Sequence, residues 1–358
     1  MSEFFSKKHS ALKAYTPGEQ PTEREYIKLN TNESPFPPSD GVRRALDNEV
    51  DKLQLYPDPE YKILHDKASE LLGVPAECIL MTNGSDEILN YAFMAFGDAD
   101  TPFAFPEISY GFYSVFADLH GIPTKKIPLK DDFTIDPKDY ENLGMNIVIA
   151  NPNAPTGLAL PLADVEHIVA SNPNHVVIID EAYVDFGGES AVSLVPKYNN
   201  LLVTRTFSKS YSLAGARLGF GVAWADLICD LNTIKYSTNP YNLSRMTAVA
   251  GAAAIDDNKY YMANCKTIIE NREWTTNALR ELEFRVINSS TNFVFAEHPD
   301  VDGVELYLAL KDAGILVRHF DNPKIKNFNR ITIGSRDEMI ALIDAIREIL
   351  ERHSRKGE

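Results

Sequence analysis

Cysteine is scarce in this sequence, and the few cysteines are not arranged in a recognisable pattern. The 358 residues include three, Cys78, Cys229 and Cys265, which lie far apart and form no Cys-x-x-Cys pair. This usage is typical of reduced, mostly buried thiols in a cytoplasmic protein. We therefore expect neither a disulfide framework nor a metal site.

Long apolar segments are also missing. No apolar run approaches the ~20 residues that a membrane helix needs, and the first residues contain no extended apolar stretch. We therefore expect a cytoplasmic protein with no signal peptide and no membrane partner.

An excess of positive charge is absent as well. The net charge is -16 and the pI is about 5.0, which argues against a nucleic-acid partner. A local basic pocket for a phosphorylated metabolite remains compatible with this composition. With 44% hydrophobic and 24% charged residues, the chain is long enough for roughly two globular domains.

Short apolar segments alternate with helical patterns through the first two thirds of the chain. Near-continuous apolar strands between helices are typical of a mainly parallel sheet with helices on both faces. The predicted strands are residues 78–81, 101–105, 146–150, 176–179 and 201–204. Ligands bind such sheets at the carboxyl ends of the strands, where polar segments follow four of these five runs.

The pattern changes after about residue 255. A long helix is predicted from Lys259 to Leu282, followed by four strand-like segments and a final amphipathic helix from Asp337 to Glu351. We predict an α/β fold with a large domain at 31–255. A smaller α+β domain would combine 256–358 with an N-terminal arm, 1–30.

A lysine beyond the middle of the chain is surrounded by groups that suit an anionic cofactor. Lys209 follows Thr206 by three residues and Ser208 by one, and Arg217 comes eight residues later. Hydroxyl groups and an arginine are good phosphate ligands, since the guanidinium can donate two parallel hydrogen bonds. An isolated lysine would be interpreted as a surface residue, but this combination favours a catalytic amine that bonds to an aldehyde.

A carboxylate at the end of an earlier apolar run completes the set. Asp180 directly follows the predicted strand 176–179, where an isolated aspartate could also cap a helix. Pyridoxal phosphate needs an amine for its aldehyde, ligands for its phosphate and an acid that keeps its ring nitrogen protonated. Because Lys209 and Asp180 supply two of these near a phosphate-binding cluster, we predict pyridoxal 5'-phosphate as the cofactor.

A second candidate for phosphate binding follows the first predicted strand. Gly84, Ser85 and Asp86 open a predicted helix at Glu87, and backbone N–H groups at a helix start can hold an anion. A plain helix cap is the alternative interpretation of this segment.

These motifs together resemble those of the fold-type I pyridoxal-phosphate enzymes, and within them the histidinol-phosphate aminotransferase subgroup. The Lys209 segment and Asp180-Glu-Ala-Tyr183 match the whole superfamily. Asn32-Glu-Ser-Pro and Tyr56-Pro-Asp-Pro are more specific for the subgroup. Other matching segments are spread over nearly the whole chain: Tyr15-Thr-Pro-Gly, Asn83-Gly-Ser-Asp-Glu, Tyr110-Gly-Phe-Tyr, Asn151-Pro-Asn-Ala-Pro-Thr-Gly and Arg330-Ile-Thr-Ile-Gly.

The resemblance implies roles for three tyrosines around the cofactor. Tyr110 would stack on the pyridine ring, and a role as a core aromatic residue is the alternative interpretation of its position. Tyr183 would donate a hydrogen bond to the ring's phenolic oxygen and would belong to the catalytic group with Lys209 and Asp180. Tyr56 would reach the cofactor phosphate of a second subunit, which implies a homodimer with shared active sites.

The resemblance also implies a substrate-binding group. Arg330 would hold the substrate's α-carboxylate, with Asn32 close to it. Arg318 would help to hold the substrate's phosphate, and Tyr15 could close over the pocket.

One position departs from the family pattern. Many relatives have asparagine immediately before Pro-Thr-Gly, where its amide contacts the ring oxygen, but this chain has Ala154. We consider two interpretations: Asn153 supplies the amide from one position earlier, or Tyr183 acts with less help.

The resemblance implies transamination, most directly between histidinol phosphate and 2-oxoglutarate in histidine biosynthesis. Lys209 would move a proton to and from the substrate. Three alternatives remain open at this point: an aromatic amino acid aminotransferase, a threonine-phosphate decarboxylase on the same fold, and a cofactor-binding protein without enzyme activity. The intact Lys209, Asp180 and Arg330 argue against the last of these.

Overall fold

The computed structural model describes residues 2–10 and 12–357. Its strands are β1 (Ile27–Lys28), β2 (Ile79–Thr82), β3 (Phe103–Pro106), β4 (Thr124–Ile127), β5 (Asn146–Ala150), β6 (Val177–Asp180), β7 (Leu201–Thr206), β8 (Gly219–Ala223), β9 (Arg285–Ile287), β10 (Phe293–Glu297), β11 (Ile315–Leu316), β12 (Arg318–His319) and β13 (Asn329–Thr332). Its α-helices are α1 (Asp40–Asp47), α2 (Lys62–Leu72), α3 (Gly84–Phe96), α4 (Phe112–His120), α5 (Leu162–Ser171), α6 (Ala225–Thr238), α7 (Arg245–Asp256), α8 (Asn258–Glu281), α9 (Gly303–Asp312) and α10 (Arg336–Gly357).

A seven-stranded sheet organises the larger part of the chain. Its strand order is β2-β8-β7-β6-β5-β3-β4, and every neighbouring pair is parallel except those that involve β8. The predicted, mainly parallel α/β sheet is therefore confirmed. All five predicted strands are present, with bounds that differ from the predicted ones by at most two residues.

The central strands are buried on both faces. Along β6, Val177 and Ile179 contact one hydrophobic cluster, whereas Ile178 contacts another on the opposite face. Successive side chains of a strand point to opposite faces, so this division shows that helices cover both sides of the sheet. The continuous apolar runs in the sequence reflect this double burial.

The strand β8 was not predicted, because glycine is depleted in strands and occurs twice in it. Its glycines are required by close packing against α3. A Cβ atom on Gly219 would lie 2.4 Å from the carbonyl carbon of Gly84, and one on Gly221 would lie 2.8 Å from Cδ1 of Ile88. The antiparallel strand thus brings the start of α3 close to the sheet.

A four-stranded antiparallel sheet, ordered β12-β13-β10-β9, forms the second part of the fold. It shares a hydrophobic cluster with α8, α9 and α10. The strand β1 pairs in parallel with β11, so the N-terminal segment joins this part of the molecule. The exact domain boundary near residue 255 stays a prediction.

Two smaller expectations concern the thiols and the membrane. Cys78, Cys229 and Cys265 are free cysteines. Among the described residues, no helix is both long enough and apolar enough to cross a membrane.

Candidate active site

The carboxyl ends of the parallel strands surround a cavity of about 340 Å³. The strand β6 delivers Asp180 to this edge, β7 delivers Thr206, and α3 begins two residues after β2 ends. Sequence-predicted residues that line the cavity are Ser85, Asp86, Tyr110, Asp180, Tyr183, Thr206, Ser208, Lys209 and Arg217. Segments separated by more than 100 residues in the chain therefore meet at one site, as expected for this sheet type.

Lys209 is a half-buried residue whose amine lies in this cavity. Its Nζ donates a hydrogen bond to the carbonyl oxygen of Thr31, at 3.1 Å, and lies 5.9 Å from the ring centre of Tyr183. Burial, together with the nearby Arg330 guanidinium, lowers the pKa of Lys209 to about 8. A substantial fraction of this amine is therefore neutral near physiological pH, which is the form that can act as a nucleophile or base.

Asp180 is a buried carboxylate with two hydroxyl partners. Tyr113 donates to Oδ2 at 2.8 Å, and Thr204 donates to Oδ1 at 3.1 Å. Burial raises the pKa of Asp180 to about 6, while these two hydrogen bonds oppose the rise. The group is therefore mostly ionised at neutral pH and can pair with a cation.

Neither Tyr113 nor Thr204 was predicted as a site residue. Tyr113 belongs to the recognised segment that begins at Tyr110, but no residue spacing along the chain connects it to Asp180. Thr204 lies on β7, directly opposite Asp180 in the parallel register. Thr204 could therefore have been predicted as a partner of Asp180 only from the pairing of β6 with β7.

One end of the cavity is built from N–H, hydroxyl and guanidinium donors. The helix α3 begins at Gly84, whose φ is +75°, and a Cβ atom there would lie 2.7 Å from Nη2 of Arg217. Thr206 donates to Ser208 at 3.0 Å, so the two hydroxyl groups lie side by side. This cluster of donors at a helix start is suited to a phosphate.

Asp86 supplies a negative charge to the same end. Its carboxylate accepts a hydrogen bond from Tyr110 Oη at 2.7 Å and pairs with Nη2 of Arg217 at 3.2 Å. Asp86 thereby connects the tyrosine to the arginine of the donor cluster.

A second cavity, of about 430 Å³, shares Lys209, Tyr110 and Tyr183 with the first. The predicted substrate residues Tyr15, Asn32, Arg318 and Arg330 all line it. The two arginines are direct cross-strand partners, because Arg318 on β12 is opposite Arg330 on β13. Two cations therefore lie in one cavity that opens onto Lys209.

Arg330 has donor capacity left for a ligand. Its Nη2 donates to the carbonyl oxygen of Asn30 at 3.0 Å, but its buried Nε has no hydrogen-bond partner among the described residues. A buried donor without a partner is costly, so such a group in a cavity indicates a missing acceptor. Arg318 makes longer bonds to the N-terminal arm, at 3.3 Å to Thr16 O and 3.4 Å to Pro17 O.

Asn32 holds the hydroxyl group of Tyr183. The Asn32 Nδ2 donates to Tyr183 Oη at 2.9 Å, and Thr332 donates to Asn32 Oδ1 at the same distance. The backbone of Asn32 has a φ of 57°, a left-handed conformation that asparagine tolerates better than most residues. Tyr183 is thus oriented from the N-terminal segment.

Three predicted cofactor residues, Gly84, Asn153 and Tyr56, do not line the cavity, although Gly84 lies close to Arg217 at the start of α3. Both amide hydrogens of Asn153 are engaged, by Ile108 O and Thr156 Oγ1 at 3.0 Å each, and its Oδ1 accepts from Ser109. Ala154 lines the cavity instead. Of the two interpretations left open by the sequence, this geometry favours Tyr183 acting without an asparagine at this position.

Tyr56, also predicted to bind the cofactor, lies outside the cavity as well. It is 78% exposed and stacks on Tyr241 at a centroid distance of 4.7 Å, away from the cavity of its own chain. Its ring is therefore available to another molecule.

The donor set of the first cavity fits pyridoxal phosphate. An amine that can be neutral, a buried carboxylate and a helix start close to hydroxyl and guanidinium donors are present together, and a Cβ on Gly84 would crowd Arg217. Tyr110 and Ala154 add apolar surface for a flat ring. The cavity can therefore hold an aromatic aldehyde phosphate beside Lys209.

Comparisons with known proteins agree with this geometry. Residues 24–346 match the model of the family described as aminotransferase class I and II. The chain is 49% identical over 353 residues to the histidinol-phosphate aminotransferase of Brachyspira hyodysenteriae, a match that covers 98% of this chain and 100% of that protein. It is 48% identical to the histidinol-phosphate aminotransferase of a Marinomonas species, with the same coverage.

A solved structure is also similar over nearly the full length. The histidinol-phosphate aminotransferase from Sinorhizobium meliloti, in complex with pyridoxal-5'-phosphate, superposes with a TM-score of 0.87 at 23% sequence identity. The match covers 98% of this chain and 99% of that one. The likeness in fold confirms the architecture that the sequence indicated.

Proposed function

The chain belongs to the family of class I and II aminotransferases, and we propose that it transfers the amino group of histidinol phosphate to 2-oxoglutarate, as a step of histidine biosynthesis. The observation that carries this proposal is the pair Arg318 and Arg330 in one cavity that opens onto Lys209. The names of the two relatives described above, which cover almost the entire chain, support the same substrate.

Pyridoxal phosphate would be held by the residues of the first cavity. Its phosphate would bind at the start of α3, with ligands from Thr206, Ser208 and Arg217. Asp180 would pair with the ring nitrogen, Tyr110 would cover the ring, and Tyr183 would donate to the phenolic oxygen. When bound, this cofactor supplies an electron-accepting ring next to the α-carbon of the donor.

Lys209 is the group that moves the proton. Its amine, with a pKa of about 8, can remove a proton from the α-carbon of the donor and later return one. The Thr31 carbonyl oxygen, 3.1 Å from Nζ, provides a hydrogen-bond acceptor for the amine whenever it is free.

The arginine pair explains how two unlike substrates can use one cavity. Glutamate and 2-oxoglutarate carry two carboxylates, whereas histidinol phosphate carries one phosphate. Arg330, with its unpartnered Nε, would bind the α-carboxylate of the dicarboxylate. Arg318 would bind the more distant anion, which is the phosphate of one substrate or the second carboxylate of the other.

We further propose that the enzyme is a cytoplasmic homodimer with shared active sites. The segment around Tyr56 exposes several large apolar side chains, including Val50, Leu53, Leu55 and Ile63. Clustered exposed apolar residues are typical of protein interfaces. An exposed Tyr56 supports a role at the phosphate site of a second subunit.

A panel of donors tests the proposed substrate. We would measure kcat/KM with 2-oxoglutarate for histidinol phosphate, for histidinol and for phenylalanine. We expect histidinol phosphate to be preferred over histidinol by at least about tenfold, because histidinol lacks the phosphate for a charge-assisted bond. Preference for phenylalanine would indicate an aromatic aminotransferase instead. Release of carbon dioxide from threonine phosphate would indicate the decarboxylase.

A further inference from the structure

A buried ionic cluster lies directly behind the predicted catalytic loops. On β7, Arg205 donates from Nη2 to Asp185 Oδ1 at 2.6 Å, and its Nη1 lies 3.7 Å from Glu181 Oε2. The other oxygen of Asp185 accepts a hydrogen bond from Ser210 Oγ at 2.5 Å. The Arg205 side chain is only 12% exposed, so these contacts are largely shielded from water.

This cluster does not touch the cavity. Residues 204 and 206 point towards the site, where Thr204 contacts Asp180 and Thr206 lines the cavity wall. Because side chains alternate along a strand, Arg205 points to the opposite face. Asp185 and Ser210 are likewise absent from the cavity lining. Any effect of the cluster on the reaction must therefore pass through other residues.

The cluster connects the two loops that carry the catalytic groups. Ser210 is the residue directly after Lys209, so its hydroxyl bond holds that loop. Glu181 and Asp185 lie two residues before and two residues after Tyr183. The carboxylate of Glu181 is itself held by the Ser190 hydroxyl group and by the Ala191 N–H, at 2.6 Å each.

We propose that Arg205, Asp185 and Ser210 form a positioning chain that sets the distance between the Lys209 amine and Tyr183. One oxygen of the Asp185 carboxylate accepts from Arg205, on the strand that leads into the lysine loop. The other oxygen accepts from Ser210, the residue after Lys209. The same arginine pairs with one carboxylate on each side of Tyr183, those of Glu181 and Asp185. Small errors in the placement of a reacting group reduce the rate strongly, so such a chain affects turnover without contacting substrate.

This inference rests on the proposed role of Lys209, and its test uses the cofactor-free protein as well as the active enzyme. The principal variant is Ser210→Ala, which removes one hydroxyl group and its bond to Asp185. The matched control is Ser212→Ala. This change also removes a hydroxyl group from the Lys209 loop, but that hydroxyl group bonds to Ser34 and not to Asp185. A second variant, Asp185→Asn, keeps the shape of the side chain but removes its charge.

The first measurement is the pH dependence of Lys209 labelling in the cofactor-free protein. Acetic anhydride is applied across a pH series, and the Lys209 peptide is quantified by mass spectrometry. The wild-type midpoint should lie at about 8. In Ser210→Ala the loosened loop should expose the Lys209 amine to water, which weakens the burial that lowers its pKa, so the midpoint should rise by about one pH unit, while Ser212→Ala keeps the wild-type value.

The second measurement is steady-state kinetics of the loaded enzyme. Ser210→Ala and Asp185→Asn should lower kcat by about tenfold or more, with KM for the amino donor nearly unchanged, because positioning acts on the chemical step. A wild-type labelling midpoint together with wild-type kcat in Ser210→Ala would overturn the proposal. So would equal losses in Ser210→Ala and Ser212→Ala, which would indicate a general structural effect. If Lys209 were not the catalytic lysine, the labelling midpoint would still shift, but kcat would not change.

Discussion

The half-buried Lys209 and the buried Asp180 are two ionisable residues whose pKa values have moved towards each other. Burial lowers the pKa of the lysine to about 8 and raises that of the carboxyl group to about 6. At a pH between these two pKa values, Asp180 is mostly anionic and Lys209 loses its proton readily. Both states suit a cofactor whose ring nitrogen needs a negative partner and whose aldehyde needs a neutral amine.

Asp180→Asn is expected to separate cofactor binding from turnover. The amide retains the size of the carboxyl group, so the variant should still bind pyridoxal phosphate, as read from its absorbance. Loss of the negative charge should reduce kcat by about a hundredfold, or about 2.7 kcal/mol of activation free energy. Near-normal turnover in a fully loaded variant would refute the assigned role of Asp180.

Arg318→Ala is expected to change selectivity between donors. Loss of a charge-assisted bond costs about 1.5–3 kcal/mol, so kcat/KM for histidinol phosphate should fall about 10- to 150-fold. The value for phenylalanine, which has no distal anion, should change little. Arg285→Ala serves as the control, because Arg285 lies on β9 at the far edge of the same sheet and pairs with Glu297. Equal losses for both donors in Arg318→Ala would exclude a phosphate-binding role.

Single residues could be predicted from the sequence only where a local pattern contains them. Lys209 and Arg217 share one segment with two hydroxyl residues, and Asp180 ends an apolar run. Tyr113 and Arg205 belong to no such local pattern, because their partners become neighbours only when separate segments meet in the folded sheet. Asn153 illustrates the converse, since its position next to Ala154 suggested a contact that its hydrogen bonds to Ile108 and Thr156 prevent.

At the scale of elements, the junction between β8 and α3 shapes the end of the cavity that contains the hydroxyl and guanidinium donors. Gly219 is needed where β8 passes within contact distance of Gly84, and Gly84 leaves room for the Arg217 guanidinium. Apolar runs predicted five of the six strands that run in one direction, because burial on both faces produces continuous hydrophobicity. They missed the edge strand β4, whose first three residues are exposed. The same reasoning missed β8, because its two glycines are typical of a loop. In the fold these glycines allow α3 to pack closely against the strand.

Gly84→Ala is expected to weaken cofactor binding by crowding Arg217. Its Cβ would lie 2.7 Å from Nη2, and its φ of +75° adds a backbone cost of about 1 kcal/mol for a residue other than glycine. The control is Gly121→Ala, with a φ of +73° and no atom within 4 Å of the added Cβ. Thermal unfolding should show similar losses for both variants.

Only Gly84→Ala should raise the Kd for pyridoxal phosphate, by about tenfold or about 1.4 kcal/mol. Equal affinities in the two glycine variants would show that the α3 start does not hold the cofactor phosphate.

At the scale of the whole molecule, the exposed Tyr56 makes assembly part of the proposed site. Mixing Lys209→Ala subunits with Tyr56→Ala subunits tests this. Each parent dimer should be nearly inactive, but each mixed dimer contains one intact site, formed by Lys209 of one subunit and Tyr56 of the other. Random mixing of equal amounts should therefore restore about a quarter of wild-type activity.

Sedimentation of the wild-type protein provides the control for that experiment, because it should show a dimer under the assay conditions. A fully active monomer, or mixtures no more active than their parents, would exclude a shared site. The apolar residues around Tyr56 were visible in the sequence, but their exposure was not. Only the folded chain shows that they lie on its surface.

The most direct test of the central claim, transamination of histidinol phosphate, is the fate of the amino nitrogen. Histidinol phosphate labelled with ¹⁵N at its amino group is incubated with 2-oxoglutarate and the purified enzyme, and the products are followed by NMR and mass spectrometry. We predict one mole of ¹⁵N-glutamate for each mole of donor consumed, and no such product from Lys209→Ala. Consumption of the donor without label in glutamate, or no consumption while phenylalanine is transaminated, would contradict the account.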